Sequence, residues 1–177
     1  KPAKKTGNDK VKVLVSGHLS RKKGSHWLRE IVDMLDGNIS VSFTSGLNAR
    51  RFQLSGDNLV SIGSVPHAEM PAVYQDHDIL LFPTVREGFG LVVAEAMSCG
   101  LPVVATDCSS LPELIVEGKG GHLCRTGDVN QFAEKINELA ASPGTRKSMG
   151  EYNRQRVEEL FTMKRMVGEY IELFEEA

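Results

Sequence analysis

Short runs of consecutive apolar residues recur along this chain and alternate with stretches of helical periodicity. Runs such as VKVLVSG, ILLFPT and PVVAT carry apolar side chains on both faces, which is typical of strands buried on both sides of a parallel sheet. Helices between such strands form right-handed crossovers that cover the two faces. The pattern therefore predicts an α/β fold, a doubly wound and mostly parallel Rossmann-like sheet flanked by helices.

The remaining predicted elements follow the same two periodicities. Further strands are predicted in ISVSFTSG, LVSIGSV and, as the last strand, GGHLCR. Helices are predicted in SHWLREIVDMLDG, in PHAEMPAVYQDH with Pro71 in its first turn, from about Phe89 to Cys99, and in three stretches from Asp128 onward. Ligands of such folds bind at the carboxyl ends of the strands, where the segments VSGHLSRKKG and PTVREGFG fall.

Composition narrows the class of protein. A length of 177 residues with 41% hydrophobic and 25% charged residues suits one globular domain. The net charge of -2 indicates no large electrostatic surface for nucleic acid. The three cysteines form no C-x-x-C pair, which argues against a disulfide framework or a structural zinc site and favours reduced thiols in the cytoplasm. No apolar stretch is long enough to span a bilayer.

The pattern divides the chain into three parts. Residues 1–10 are polar and rich in lysine, and they predict a linker or disordered tail in a fragment cut from a longer protein. Residues 11–160 carry the alternating strands and helices of the predicted Rossmann-like domain. Residues 161–177 form a last predicted helix with an apolar stripe.

A glycine-rich loop with two glutamates, EGFGLVVAE, follows the strand ILLFPT. Glycines let the backbone approach a ligand closely, and the first amides of the helix around Gly90 are unpaired donors at the positive end of its dipole. These features predict a phosphate site. Glu95 lies roughly one turn past Leu91 among apolar neighbours, where an ionised side chain needs a partner, and a bound diol such as ribose would supply it. Glu87, in the loop, would face a second polyol such as a sugar ring.

A basic loop, GHLSRKKG, follows the first predicted strand with Gly17 at its turn. Its cations Arg21, Lys22 and Lys23 would lie beside the same crevice, where a diphosphate would need them. Both loops also have plainer interpretations, because most charge runs are solvated and a G-x-G turn with an incidental salt bridge is common. Two glutamates at this spacing on one strand-helix element favour a functional site.

Together these motifs resemble those of a known enzyme family. EGFGLVVAE matches an E-x7-E glutamate pair, EAMSCGLPVVATDCSSLPELI matches a run of E-A-M, G-x-P-V-V-A and P-E, and GHLSRKKG resembles a G-R-L…K-G loop. LVSIGSV…Y…D resembles the segment that borders the nucleobase. From Val11 onward the chain resembles the C-terminal, nucleotide-sugar-binding domain of retaining GT-B glycosyltransferases, family 4 in particular. This domain is one half of a GT-B fold.

The resemblance implies a role for each matching residue. Glu95 would bind the ribose hydroxyls, and Glu87 would contact the transferred sugar on the face where the acceptor attacks. Lys23 would pair with the diphosphate and stabilise the leaving group as negative charge develops. The other implied donor-binding residues hold the sugar and diphosphate through their backbone, form the turn of the first loop, or line the base pocket: Phe89, Gly90, Leu91, Val92, Gly17, His18, Gly63, Ser64 and Val65.

One position departs from the family pattern. The family has an arginine directly after the glycine of the first loop, where this chain has His18. Because histidine titrates near neutrality and arginine does not, diphosphate binding could be weaker or pH-dependent, or Arg21 could substitute. His18 could equally be a plain loop residue.

Other patterns predict no separate site. The tripeptide DHD precedes the amino end of a strand, the wrong edge of the sheet for a metal site, and Asp78 fits a helix-to-strand junction. His67, His77 and His122 are scattered and expected to be structural or exposed, and Cys99 is expected to be a small packed residue. We therefore expect no metal site and no cofactor.

The resemblance implies a hexosyltransferase that uses a UDP-, GDP- or ADP-sugar and retains the anomeric configuration. The acceptor would bind to a missing amino-terminal domain, toward which residues 161–177 would cross, so this chain alone would bind the donor with little or no turnover. Peripheral association of the full protein with the inner face of a membrane stays open. The alternatives are a non-catalytic module that binds nucleotide sugars and a sugar phosphorylase or epimerase on the same scaffold.

Overall fold

The computed structural model describes residues 10–44, Leu54 and residues 58–175. Six strands of this part of the chain form one sheet in the order β3-β2-β1-β4-β5-β6, and every neighbouring pair is parallel. The predicted parallel sheet is therefore confirmed, with all its strands close to their predicted places. The strands are β1 (Val11–Val15), β2 (Ile39–Thr44), β3 (Leu59–Gly63), β4 (Ile79–Phe82), β5 (Val103–Thr106) and β6 (Gly121–Cys124).

The described residues also form seven α-helices. They are α1 (Leu28–Asp33), α2 (Met70–Gln75), α3 (Leu91–Ser98), α4 (Leu111–Leu114), α5 (Val129–Ala141), α6 (Pro143–Leu160) and α7 (Met163–Glu175). Helices other than α7 contribute the residues that cover the sheet. Pro71 lies in the first turn of α2, as predicted. Helix α1 is shorter than predicted because residues 24–27 form turns, and α3 begins after Gly90, which adopts a left-handed conformation. Helix α4 was not predicted, since four residues are too few to show a periodicity.

The strands alternate their side chains between two buried clusters, which explains the continuous apolar runs of the sequence. Val13 and Val15 of β1 belong to one cluster, together with buried residues of α1 and α5. Leu14 belongs to the other cluster, together with buried residues of α2, α3 and α4. The sheet is therefore covered on both faces.

The loops that follow β1 and β4 lie against each other at the carboxyl edge of the sheet. The backbone amide of Val85 donates to the carbonyl oxygen of Lys22 at 2.8 Å, and the Thr84 hydroxyl donates to the same oxygen at 3.1 Å. Gly24 has a φ of 71°, and a Cβ at this position would overlap the carbonyl oxygen of Pro83. These contacts hold the basic loop and the glycine-rich loop against each other.

The tripeptide DHD lies at the opposite, amino edge of the sheet. The carboxylate of Asp78 accepts a hydrogen bond from the amide of Lys12 at 2.9 Å, so it joins α2 to the start of two strands as predicted. His77 is half-buried against the carbonyl of Val73 at 2.7 Å, and burial lowers the pKa of its imidazole. All three cysteines are free thiols.

Helix α6 crosses the end of α3 at close range. The side-chain amide of Asn153 is fully buried and donates to the carbonyl oxygens of Leu101 at 2.7 Å and Gly120 at 2.6 Å. A Cβ on Gly150 would overlap the carbonyl oxygen of Gly100. This approach fixes the turn that leads from α3 into β5.

Helix α7 buries none of its side chains in the described part of the chain. Its apolar residues follow a helical spacing, so they form one stripe along the helix. No helix that the structure describes has both the length and the apolar character needed to cross a membrane. The exposed stripe consists of Met163, Met166, Val167, Tyr170, Ile171, Leu173 and Phe174.

The close approach of α6 yields a test by substitution. Replacing glycine by alanine inside a helix ordinarily stabilises it by up to about 1 kcal/mol. We expect Gly150→Ala to lower the free energy of unfolding by about 1–3 kcal/mol instead, because the new methyl group overlaps Gly100. The matched control is Gly168→Ala in α7, where a Cβ meets open space and no loss is expected. Urea unfolding measures the free energy of unfolding of both variants. Equal values would contradict the close contact between Gly150 and Gly100.

Candidate functional site

A cavity of about 480 Å³ opens at the carboxyl edge of the sheet. It lies between the ends of β1, β2 and β3 on one side and the helices α2 and α3 on the other. Its volume falls in the range of small-molecule binding pockets. The lining residues are Ser16, Gly17, His18, Thr44, Ser64, Val65, His67, Met70, Tyr74, Leu91, Val92 and Glu95.

Glu95 lines this cavity and has two protein partners. Its Oε2 accepts a hydrogen bond from the Tyr74 hydroxyl at 2.9 Å, and its Oε1 lies 3.2 Å from Nε2 of His67. From the apolar neighbours of Glu95 we expected a ligand as its partner; the structure gives it two protein partners, and binding of a ligand stays a prediction. Both partners come from the segment before β4, which the local sequence around Glu95 does not reveal.

The turn after β1 is fixed by the next strand along the chain, β2. The amide of Gly17 donates to the hydroxyl oxygen of Thr44 at 2.9 Å, and this hydroxyl lies 3.3 Å from the Gly17 carbonyl oxygen. Gly17 has a φ of 116°, a conformation that a residue with a side chain rarely adopts. The backbone of the turn is therefore presented to the cavity together with His18.

The start of α3 offers a group of free backbone donors. Gly90, with a φ of 90°, precedes the helix, and no side chain caps it. Within the described residues, the amides of residues 89–92 donate no hydrogen bond. A Cβ on Gly90 would lie 3.0 Å from Leu114 and 3.1 Å from Leu111, so α4 holds this turn closely from behind. The arrangement suits an anion at the positive end of the helix dipole.

Lys23 and Glu87, the two predicted catalytic residues, form an ion pair across the two loops. The Lys23 ammonium group also lies over the ring of Phe82, 4.9 Å from its centroid, and the amide of Gly88 donates to Glu87 Oε1 at 3.0 Å. Burial would raise the pKa of Glu87, but the hydrogen bonds from Lys23 and Gly88 and the charges of Lys23 and Lys22 outweigh it and lower the pKa. The carboxylate is therefore held ionised.

The predicted site residues divide between the cavity and its border. Seven of them line the cavity: Gly17, His18, Ser64, Val65, Leu91, Val92 and Glu95. Four others, Lys23, Glu87, Phe89 and Gly90, lie outside the lining but on the same two loops. Gly63 ends β3 one residue before the lining begins, and Arg21 is exposed in the 3₁₀ turn Arg21–Lys23. The structure thus brings the two predicted loops to one edge.

Sequence reasoning missed several residues of the site. His67 was expected to be structural or exposed, and its side chain is 87% exposed, yet it lines the cavity beside Glu95. Tyr74 entered the predictions only as the Y of LVSIGSV…Y…D. Nothing in its local sequence distinguishes it from an aromatic residue of the core. Ser16 and Thr44, at the ends of β1 and β2, were not singled out.

The glycine-rich loop is supported from outside the sheet. The Ser110 hydroxyl donates to the carbonyl oxygen of Phe89 at 3.0 Å, and the Phe89 ring meets that of Phe161 edge-on, with centroids 6.0 Å apart. Arg156 lies over the Phe161 ring at 5.6 Å and donates to two carbonyl oxygens of the α4 segment. Helices α4 and α6 therefore both position the loop.

Solved structures share this fold. Sucrose-phosphate synthase from Thermosynechococcus elongatus is 25% identical, with a TM-score of 0.84 over 97% of this chain and 47% of that protein. The Anabaena protein Alr3699/HepE, in complex with UDP and glucose, has a TM-score of 0.85 at 20% identity over 96% of this chain and 49% of that protein. At 20% identity, the similarity to Alr3699/HepE concerns the fold alone.

The family is shown by the sequence comparisons. D-inositol 3-phosphate glycosyltransferase from Corynebacterium jeikeium is 34% identical over 153 residues, which cover 77% of this chain and 36% of that enzyme. The chain thus spans less than half the length of this relative. The family model for glycosyl transferases group 1 matches residues 1–156. The chain therefore belongs to the group 1 glycosyl transferases.

Proposed function

We propose that this chain is the donor-binding half of a retaining hexosyltransferase and that a nucleotide sugar occupies the cavity at the carboxyl edge of the sheet. One observation carries the proposal. The carboxylate residue Glu95 lines the cavity of about 480 Å³ together with Leu91 and Val92, the first residues of α3, whose amides donate no hydrogen bond within the described residues. A carboxylate suits the hydroxyls of a ribose, and free amides suit phosphate oxygens.

Main-chain amides and cations would hold the diphosphate in this proposal. Its negative charge would meet the amides of Leu91 and Val92, the helix dipole and the cations of the basic loop. His18 lines the cavity whereas Arg21 does not, so a diphosphate held in the cavity would lie closer to His18.

The ion pair between Lys23 and Glu87 supplies the groups for the transfer step. As the bond between the anomeric carbon and the diphosphate oxygen breaks, negative charge accumulates on the departing diphosphate, and the Lys23 ammonium group can move from Glu87 to it. Glu87 is ionised, so it accepts hydrogen bonds from sugar hydroxyls and orients the ring. The pair Glu87 and Glu95 is the E-x7-E spacing that we assign to family 4 of the retaining enzymes.

The acceptor would bind to a part of the protein outside this chain. The chain covers 36% of the inositol phosphate glycosyltransferase and 49% of Alr3699/HepE. The exposed apolar stripe of α7 suits contact with that other part, which agrees with a crossing helix at residues 161–177. That Alr3699/HepE was solved with UDP and glucose supports a nucleotide sugar as the donor.

Isothermal titration calorimetry with UDP-, GDP- and ADP-glucose tests the donor site. We expect the chain to bind one of the three, and Glu95→Gln to weaken that binding about tenfold or more, because the ribose loses a hydrogen bond to a charged acceptor. The matched control is Glu151→Gln on the exposed surface of α6, which should bind like the unaltered chain.

Two calorimetric results would contradict the donor site. If the unaltered chain binds none of the three nucleotide sugars, the proposed donor site is contradicted. If Glu95→Gln and Glu151→Gln bind the nucleotide sugar with equal affinity, Glu95 does not contact it.

The lowered pKa of Glu87 makes its contribution to stability depend on pH. A carboxylate whose pKa is lower in the folded state stabilises the fold above its unfolded pKa, and this stability is lost as the pH falls through the folded pKa. Glu87→Gln should therefore cost most stability at about pH 7, and the difference should shrink as the pH falls below the ordinary glutamate pKa of about 4.3. Urea unfolding across this range measures it. A difference independent of pH would contradict the ion pair with Lys23.

The chain alone should bind the donor without transferring its sugar, because the acceptor site lies elsewhere in our proposal. Incubation with a radiolabelled nucleotide sugar and a lysate extract of small sugars and lipids measures transfer. Loss of label from the donor no faster than in buffer is expected. Transfer by this chain at the rate of an intact enzyme would refute the division of labour between donor and acceptor halves.

A further inference from the structure

We propose that Tyr74 is a positioning residue of the donor site, which fixes one oxygen of Glu95 so that the other is presented to the ribose. The inference rests on the proposed function and adds the residue on which ribose recognition depends. Removal of the Tyr74 hydroxyl should therefore weaken discrimination between nucleotides that have ribose hydroxyls and nucleotides that lack them.

The Tyr74 hydroxyl is committed to Glu95. It has a single proton to donate, and it lies 2.9 Å from Glu95 Oε2. The Ser16 hydroxyl lies 3.4 Å away on the other side, from the end of β1. Burial is the main cause that raises the pKa of Tyr74, so the phenol keeps its proton at the pH values where proteins are handled. The Tyr74 hydroxyl is thus available as a donor to Glu95 Oε2.

The two partners of Glu95 differ in how easily they can leave. Tyr74 is 1% exposed, and its ring belongs to the buried cluster between the sheet and helices α2 and α3. His67 is 87% exposed and lies 3.2 Å from the other oxygen, Oε1. A ribose hydroxyl that enters the cavity can take the place of His67 at Oε1, but it cannot displace Tyr74 from Oε2.

Fixing one oxygen gives the other a direction. A carboxylate on a glutamate side chain turns freely about its last bonds, and a site recognises a hydroxyl well only if its acceptor is held in place before the ligand arrives. Only 33% of the Glu95 side chain is exposed, and Glu95 lines the cavity together with His67, the partner of its second oxygen. Without the Tyr74 hydroxyl, Oε2 would also lose its buried donor, and the carboxylate would turn toward water or His67.

Paired nucleotides test the inference on the 177-residue chain. UDP, GDP and ADP are titrated calorimetrically beside their 2′,3′-dideoxy counterparts, and the ratio of the two dissociation constants measures recognition of the hydroxyls. We expect a ratio of about tenfold or more for the unaltered chain with the base it binds. Tyr74→Phe, which keeps the buried ring, should reduce the ratio to about threefold or less. The matched control is Tyr170→Phe, which removes the same hydroxyl from an exposed residue of α7 outside the cavity lining and should keep the ratio. His67→Ala is measured beside it, since it removes the other partner of Glu95.

Each outcome separates the inference from the function on which it rests. A ratio that Tyr74→Phe leaves unchanged would overturn the positioning role and leave the proposed donor site intact. Absence of binding by all three nucleotides would overturn both. A ratio lost in His67→Ala but kept in Tyr74→Phe would transfer the role to His67. Thermal denaturation checks the folding of each variant, and Tyr74→Met, a flexible apolar replacement, serves if Tyr74→Phe does not fold.

Discussion

The parallel pairing of β1 with β4 is the contact on which the rest of the site depends. Val13 pairs with Ile79 and Leu14 with Leu80, although the paired residues lie 66 positions apart in the chain. β2 and β3 lie on one side of this pair and β5 and β6 on the other, so the connections diverge there and leave a crevice at the carboxyl edge. Every group assigned to the donor comes from a loop or helix that borders this crevice.

The elements of the sheet were predictable because their cause is local. A strand covered on both faces is apolar at nearly every position, and β4 shows this throughout, while β1 is interrupted only by Lys12 and β5 only by Thr106. The free donors at the start of α3 were predictable for a similar reason, because a glycine-rich turn between a strand and a helix leaves the first amides unpaired. The combined motifs also indicated a glycosyltransferase, in agreement with the group 1 family.

The partners within the site were not predictable, because they are set by tertiary contacts. Lys23 and Glu87 are 64 residues apart, and nothing near either one shows that they meet. Glu95 has apolar neighbours along its helix, yet a buried hydroxyl from Tyr74 and an imidazole from His67 reach it from the preceding segment. The length of α1 and the existence of α4 likewise depend on turns that periodicity does not record.

The edge-on contact between Phe89 and Phe161 has a consequence for where this unit can be cut. The family model ends at residue 156, but the glycine-rich loop is also supported by the ring of Phe161, five residues later. Arg156 connects α4 with Phe161, since it donates to carbonyl oxygens of the α4 segment and lies over the Phe161 ring. A chain shortened to end at residue 156 would lose the contact between Phe89 and Phe161, so the smallest intact unit extends at least to Phe161.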